Sequence, residues 1–118
     1  MDAETAERLR KLLVEERELL RERLRDLGMN PEDPTSVEIQ FDPGFADSAQ
    51  TTAERNRVLS IAQGLRTNLD DVKHALRRMD DGSYGACERC GREIPLERLE
   101  AVPFARLCIE CKQKVRAR

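Results

Sequence analysis

The residues best suited to chemistry in this chain are its four cysteines. They form two pairs, Cys87-Glu88-Arg89-Cys90 and Cys108-Ile109-Glu110-Cys111, with seventeen residues between Cys90 and Cys108. Two C-x-x-C hooks at this separation match a structural zinc ribbon, in which each hook brings two thiolates to one tetrahedral ion. Gly91 follows the first hook and frees the backbone to turn sharply. Other uses of the same thiols are open at this point. Disulfides belong to oxidising compartments, whereas the chain begins Met1-Asp2-Ala3-Glu4 without a basic, apolar leader. We therefore expect a cytoplasmic protein, where paired C-x-x-C usually means metal. A thioredoxin-like site needs its C-x-x-C at the start of a helix in an α/β fold, and no such strand pattern surrounds these pairs. A nucleophilic cysteine needs a base, and the only histidine, His74, stands thirteen residues before Cys87 on an expected helix. The expectation is one structural Zn2+ on Cys87, Cys90, Cys108 and Cys111, with redox or catalytic use as the alternatives.

A ribbon of this size must be carried by something larger. At 118 residues the chain is at most one ordinary domain, and its 37% charged and 3% aromatic residues are poor material for a large globular core. Such a composition with regularly spaced leucines suits a long helical hairpin. No run of eighteen apolar residues exists to span a membrane. The net charge of −2 is unevenly placed: residues 82–118 carry eight Lys/Arg against five Asp/Glu, and residues 1–81 carry thirteen against eighteen. Residues 30–53 hold Glu32, Asp33, Glu38, Asp42 and Asp47 and no basic residue. Nucleic-acid binding calls for a basic face with stacking aromatics, so this balance argues against it.

Residues 3–27 read as one helix. Leu9, Leu12/Leu13, Leu19/Leu20, Leu24 and Leu27 recur at three- and four-residue steps, and Gly28 is placed to end the helix as its C′ residue. Gly28, Pro31, Pro34, Pro43 and Gly44 then mark a loop over 28–47, inside which Val37, Ile39 and Phe41 alternate with polar residues. These apolar residues would cap the end of a hairpin, and Phe41 or Phe45 could also meet a partner. A second helix is expected from Ser48 to Asp80. Its seam of Val58, Ala62, Leu65, Leu69, Val72, Leu76 and Met79 steps by 4 and 3 alternately, as in a coiled coil. Gly64 sits inside it at a cost of about 1 kcal/mol relative to alanine, either for close approach or for a bend. The fold class expected is thus all-α. It comprises a long antiparallel coiled-coil hairpin (1–81), then a small four-cysteine ribbon with a short C-terminal helix (82–118). By helix rise, the loop and the zinc would stand roughly 40–50 Å apart. A monomeric hairpin is expected, although a dimer could bury the same leucines.

At this point the chain resembles a known family. Gly82-Ser83-Tyr84-Gly85-x-Cys87-x-x-Cys90-Gly91, Ile94-x-x-x-Arg98-Leu99-x-Ala101-x-Pro103 and Cys108-Ile109-x-Cys111-Lys112 are similar to the signature of the DksA/TraR zinc-finger proteins. The resemblance implies a non-enzymatic regulator with structural zinc, whose coiled-coil arm enters the secondary channel of bacterial RNA polymerase and modulates initiation. Acidic residues at the arm tip would approach the catalytic centre. Counting back from the first cysteine sets Asp47 and Ala49 on the second aspartate and the alanine of the family's Asp-Pro-Ala-Asp-x-Ala tip. The first aspartate falls on Gly44, and Asp42 could replace it only in a reshaped loop. Asp47 also reads as an ordinary helix cap, with Gln50 three residues on. Some relatives bind guanosine tetraphosphate through basic residues, where this chain has Ser60, Gly64, Asp71 and only one cation, Lys112. A weak or absent alarmone response is therefore expected. Arg89, Arg92 and Lys112 would face the polymerase rim. The alternatives are a nucleic-acid-binding zinc ribbon and a thiol redox switch.

Overall fold

The computed structural model describes residues 1–32 and 49–116, with side chains described from residue 52 onward in the second segment. Four helices follow in order: α1 (Ala3–Asp26), α2 (Ala49–Asp81), α3 (Leu96–Ala101) and α4 (Ile109–Arg116). Among the described residues the one β pairing is the isolated bridge between Ala86 and Glu93. The all-α class is as expected, and both long helices begin and end within one residue of the expected positions. No helix among the described residues is long and apolar enough to cross a membrane.

Local chemistry accounts for the helix ends. Asp2 caps α1: its carboxylate accepts the Thr5 amide at 2.7 Å and its carbonyl accepts the Ala6 amide at 3.0 Å. At the other end Gly28 takes φ 80°. The Met29 amide then reaches the Leu24 carbonyl, and the Gly28 amide the Arg25 carbonyl, each at 2.9 Å. This is a Schellman cap, and its apolar closure is Met29, only 4% exposed. Met29 is a core residue that the leucine spacing did not mark. α2 ends the same way. Gly82 takes φ 82°, and the Ser83 amide donates to the Arg78 carbonyl at 2.9 Å. Asp81 accepts the Ser83 amide and hydroxyl, which hold its carboxyl below the usual range.

The packed stripe is narrower than the leucine list. Leu9, Leu13, Leu20 and Leu24 are at most 1% exposed, whereas Leu19 is 42% exposed. On α2 the seam residues Ala62, Leu69, Val72 and Leu76 are buried, Ala75 joins them, and Val58, Leu65 and Met79 are half-buried. Gly64 is exposed, and a Cβ built there would meet nothing within 4 Å. Close approach is therefore not its reason.

By packing, the chain falls into two compact units, Met1–Arg17 with Asp70–Arg118, and Glu18–Leu69. This packing division cuts through both long helices. The physical reason is the poverty of the ribbon's own core. Leu9 from α1 is buried in one cluster with Cys87, Ile94, Leu99 and Cys111, and Leu12, Met79, Tyr84 and Leu107 pack against it. In this unit α1 and α2 are tied by Arg10, which donates to Asp80 at 2.6 Å. In the other unit the residues after α1 fold against the helices: Arg21 pairs with Glu32, and Arg66 donates to the Asn30 carbonyl at 3.5 Å. Val37, Ile39, Phe41, Asp42, Phe45 and Asp47 lie outside the described residues.

Candidate metal centre

The first hook is a tight backbone loop. The Gly91 amide donates to the Cys87 carbonyl at 2.9 Å, and Gly91 sits at φ 77°, a conformation that side-chain-bearing residues rarely adopt. The returning strand-like segment is held by Cys87 N–H to the Arg92 carbonyl at 2.8 Å and Ile94 N–H to the Gly85 carbonyl at 2.7 Å. The second hook opens α4, where the Lys112 amide donates to the Cys108 carbonyl at 3.0 Å. A backbone bond ties the two halves of the ribbon together: the Glu88 amide donates to the Arg106 carbonyl at 2.9 Å.

These elements bring all four cysteines together. Their Sγ atoms lie within 4.8 Å of one another, and Cys90 Sγ stands 3.8 Å from Cys108 Sγ. Bonds of about 2.3 Å to a tetrahedral Zn2+ would separate the sulfurs by about 3.8 Å, so the donor set fits that ion. All four thiols are free, and 3.8 Å is far beyond a disulfide bond of about 2.05 Å. Cys87 and Cys111 are buried, Cys108 is half-buried and Cys90 is exposed. The electrostatics favour a cation. Burial pushes the Cys87 thiol up, but the amides of Cys90, Cys108 and Arg89 outweigh it and bring it down to about 6. Burial and hydrogen bonds to the other three sulfurs push Cys111 up to about 12. Burial and the shared hydrogen bonds oppose full ionisation of the cluster, a cost that a central dication would offset.

The surrounding side chains fix this centre to the helices. Arg78, with a side chain only 12% exposed, lies 3.6 Å from Glu88. It donates to the Ser83 carbonyl at 2.6 Å and to the Ala86 carbonyl at 2.8 Å. His74 pairs with Glu88 through Nε2, and Asp71 meets Arg106 at 2.8 Å. The Tyr84 hydroxyl donates to the Pro103 carbonyl at 2.7 Å, and Arg98 to the Leu107 carbonyl at 3.1 Å. The sequence reading missed all of these, because each partner is 5 to 35 residues away and no local period marks it. The signal that was available is the 71, 74, 78 spacing, a polar stripe beside the apolar seam. Of the expected rim residues, Arg89 is exposed and donates to the Cys111 carbonyl at 3.5 Å. Arg92 pairs with Glu110 at 4.0 Å, and Lys112 is exposed. Ala49 opens α2.

A family profile described as the prokaryotic dksA/traR C4-type zinc finger matches residues 82–117. The RNA polymerase-binding transcription factor DksA of Caulobacter vibrioides is 34% identical over 88% of this chain and 70% of its own length. The chain belongs to the DksA/TraR family. The structure of transcription factor DksA2 from Pseudomonas aeruginosa agrees, with a TM-score of 0.76 and 32% identity over 99% of this chain and 87% of that one. General stress protein 16O of Bacillus subtilis is 37% identical over 89% of this chain, which spans 64% of that protein's length. For this DksA/TraR protein, a four-cysteine site suited to zinc is therefore both a family feature and a feature of its own geometry.

Proposed function

We propose that this protein is a non-enzymatic, cytoplasmic transcription regulator that binds bacterial RNA polymerase through its secondary channel and modulates initiation. The observation that carries the reading is the match over 88% of the chain to a protein named for binding RNA polymerase. In this reading residues 1–81 form the arm, with its tip over 28–47, and residues 82–118 form the base. One structural Zn2+ on Cys87, Cys90, Cys108 and Cys111 organises that base. Asp42, Asp47 and Ala49 act at the tip, and Arg89, Arg92 and Lys112 meet the channel rim. Zinc supplies no reaction step; it neutralises the four thiolates and locks both hooks.

The protein acts as a monomer without binding DNA in a sequence-specific way, in keeping with a net charge of −2. Its response to guanosine tetraphosphate is weak or absent, because Ser60 and Gly64 offer no cation and Asp71 is engaged with Arg106. The test is run-off transcription from a ribosomal-type promoter with wild type, Asp47→Ala and Asp42→Ala, each with and without the alarmone. The expected result is a promoter effect that the Asp47 variant loses and that the alarmone barely changes. Equal effects from wild type and both tip variants would sink the tip assignment, and strong alarmone synergy would sink the other. A gel shift with promoter DNA, with and without polymerase, separates this reading from direct nucleic-acid binding.

A further inference from the structure

The apolar seam of α2 explains why the helix packs, but not why its last turns carry Asp71, His74 and Arg78 on a second stripe. Their spacing of three and four residues puts them on one helical face. Every one of them reaches across to the ribbon: Asp71 to Arg106, His74 to Glu88, Arg78 to Glu88 and to the carbonyls of Ser83 and Ala86. Their partners flank the metal ligands, since Glu88 follows Cys87 and Arg106 precedes Cys108 by two residues. Glu88 and Arg106 are themselves joined by a 2.9 Å backbone hydrogen bond. The stripe therefore grips one residue beside each hook.

We propose that Asp71, His74 and Arg78 act as a latch that couples metal occupancy of the four-cysteine site to helical order at the C-terminal end of α2. Zinc brings the hooks together, the hooks present Glu88 and Arg106, and the latch holds the last turns of α2 against them. By linkage, the helix end must favour metal binding by the same factor with which metal favours the helix end. Arg78 is the positioning residue at the centre of the latch; it touches no sulfur and acts through Glu88 and two carbonyls. This inference rests on the zinc reading of the site but not on polymerase binding.

The experiment uses the full chain, wild type and Arg78→Met, with His74→Gln as a second variant that removes one grip without a buried arginine. Amide exchange over residues 70–83 is measured with zinc and after chelation, and Co2+ affinity is followed by the thiolate charge-transfer band. In wild type, chelation is expected to speed exchange over 70–83 by roughly tenfold or more, beyond any change over 18–32 and 52–69. In the variants the cobalt band keeps its shape, the affinity falls by the factor with which protection falls, and the metal-free chains exchange like metal-free wild type. Equal protection over 70–83 with and without metal would overturn the latch. So would variant losses of the same size in loaded and metal-free chains, which mark a merely structural role. A wild type with no cobalt–thiolate band would overturn the zinc reading itself, and with it the latch.

Discussion

Four sulfurs within 4.8 Å of one another can all be ionised only with a cation among them. Structural zinc contributes on the order of 10 kcal/mol to small thiolate sites, and in the proposed reading that is folding free energy for a ribbon that borrows Leu9, Leu12 and Met79 for its core. Cys111→Ser is therefore expected to lower the zinc content after competition with a chelator, and to abolish exchange protection over 82–116. Zinc content equal to wild type would contradict this. Tyr84 offers a second test. Burial pushes its phenol up to about 12, against a pull from Arg78. A phenol that holds its proton more tightly when folded stabilises the protein fully below its ordinary value of 10.0 and loses that contribution as pH rises through about 12. Tyr84→Phe is expected to cost about 1 kcal/mol at neutral pH through the orphaned Pro103 carbonyl. The gap from wild type should narrow in denaturant titrations between pH 10 and 12. A gap independent of pH would contradict the assignment.

At the scale of elements, the helices were legible because their information is local. Leucines at three- and four-residue steps, with a glycine after the last, specify α1 and its cap without any distant partner. What the leucines could not specify is which of two neighbours faces inward. Leu20 is 1% exposed and Leu19 is 42% exposed, a difference set by tertiary packing. Leu20→Ala is expected to cost about 2–5 kcal/mol, and Leu19→Ala to stay within about 0.5 kcal/mol. Urea midpoints check both. The glycines divide in the same way. Gly64→Ala is expected to stabilise by about 1 kcal/mol, since nothing lies within 4 Å of the added carbon. Gly82→Ala is expected to destabilise by about 1–2 kcal/mol, because its φ of 82° is left-handed. Reversed signs would contradict the cap and the open site. The cysteine site was equally legible, its spacing being a direct statement of ligand geometry. The clasp of Asp71, His74 and Arg78 was not, because a polar residue on a helix carries no mark of a partner many positions away.

At the scale of the whole molecule, the cysteines are a foundation and the proposed action on transcription belongs to residues 28–49, away from them in the chain. The core boundary makes the same point physically, since the ribbon packs in one unit with the first turns of α1 and the last turns of α2. The central claim is that this DksA/TraR protein works by holding RNA polymerase. Co-purification with core bacterial RNA polymerase tests it most directly. Wild type and Asp47→Ala are both expected to be retained, because the proposed rim residues Arg89, Arg92 and Lys112 lie far from Asp47 in the chain. Wild-type protein, loaded with zinc, that passes through without binding core polymerase would contradict the account.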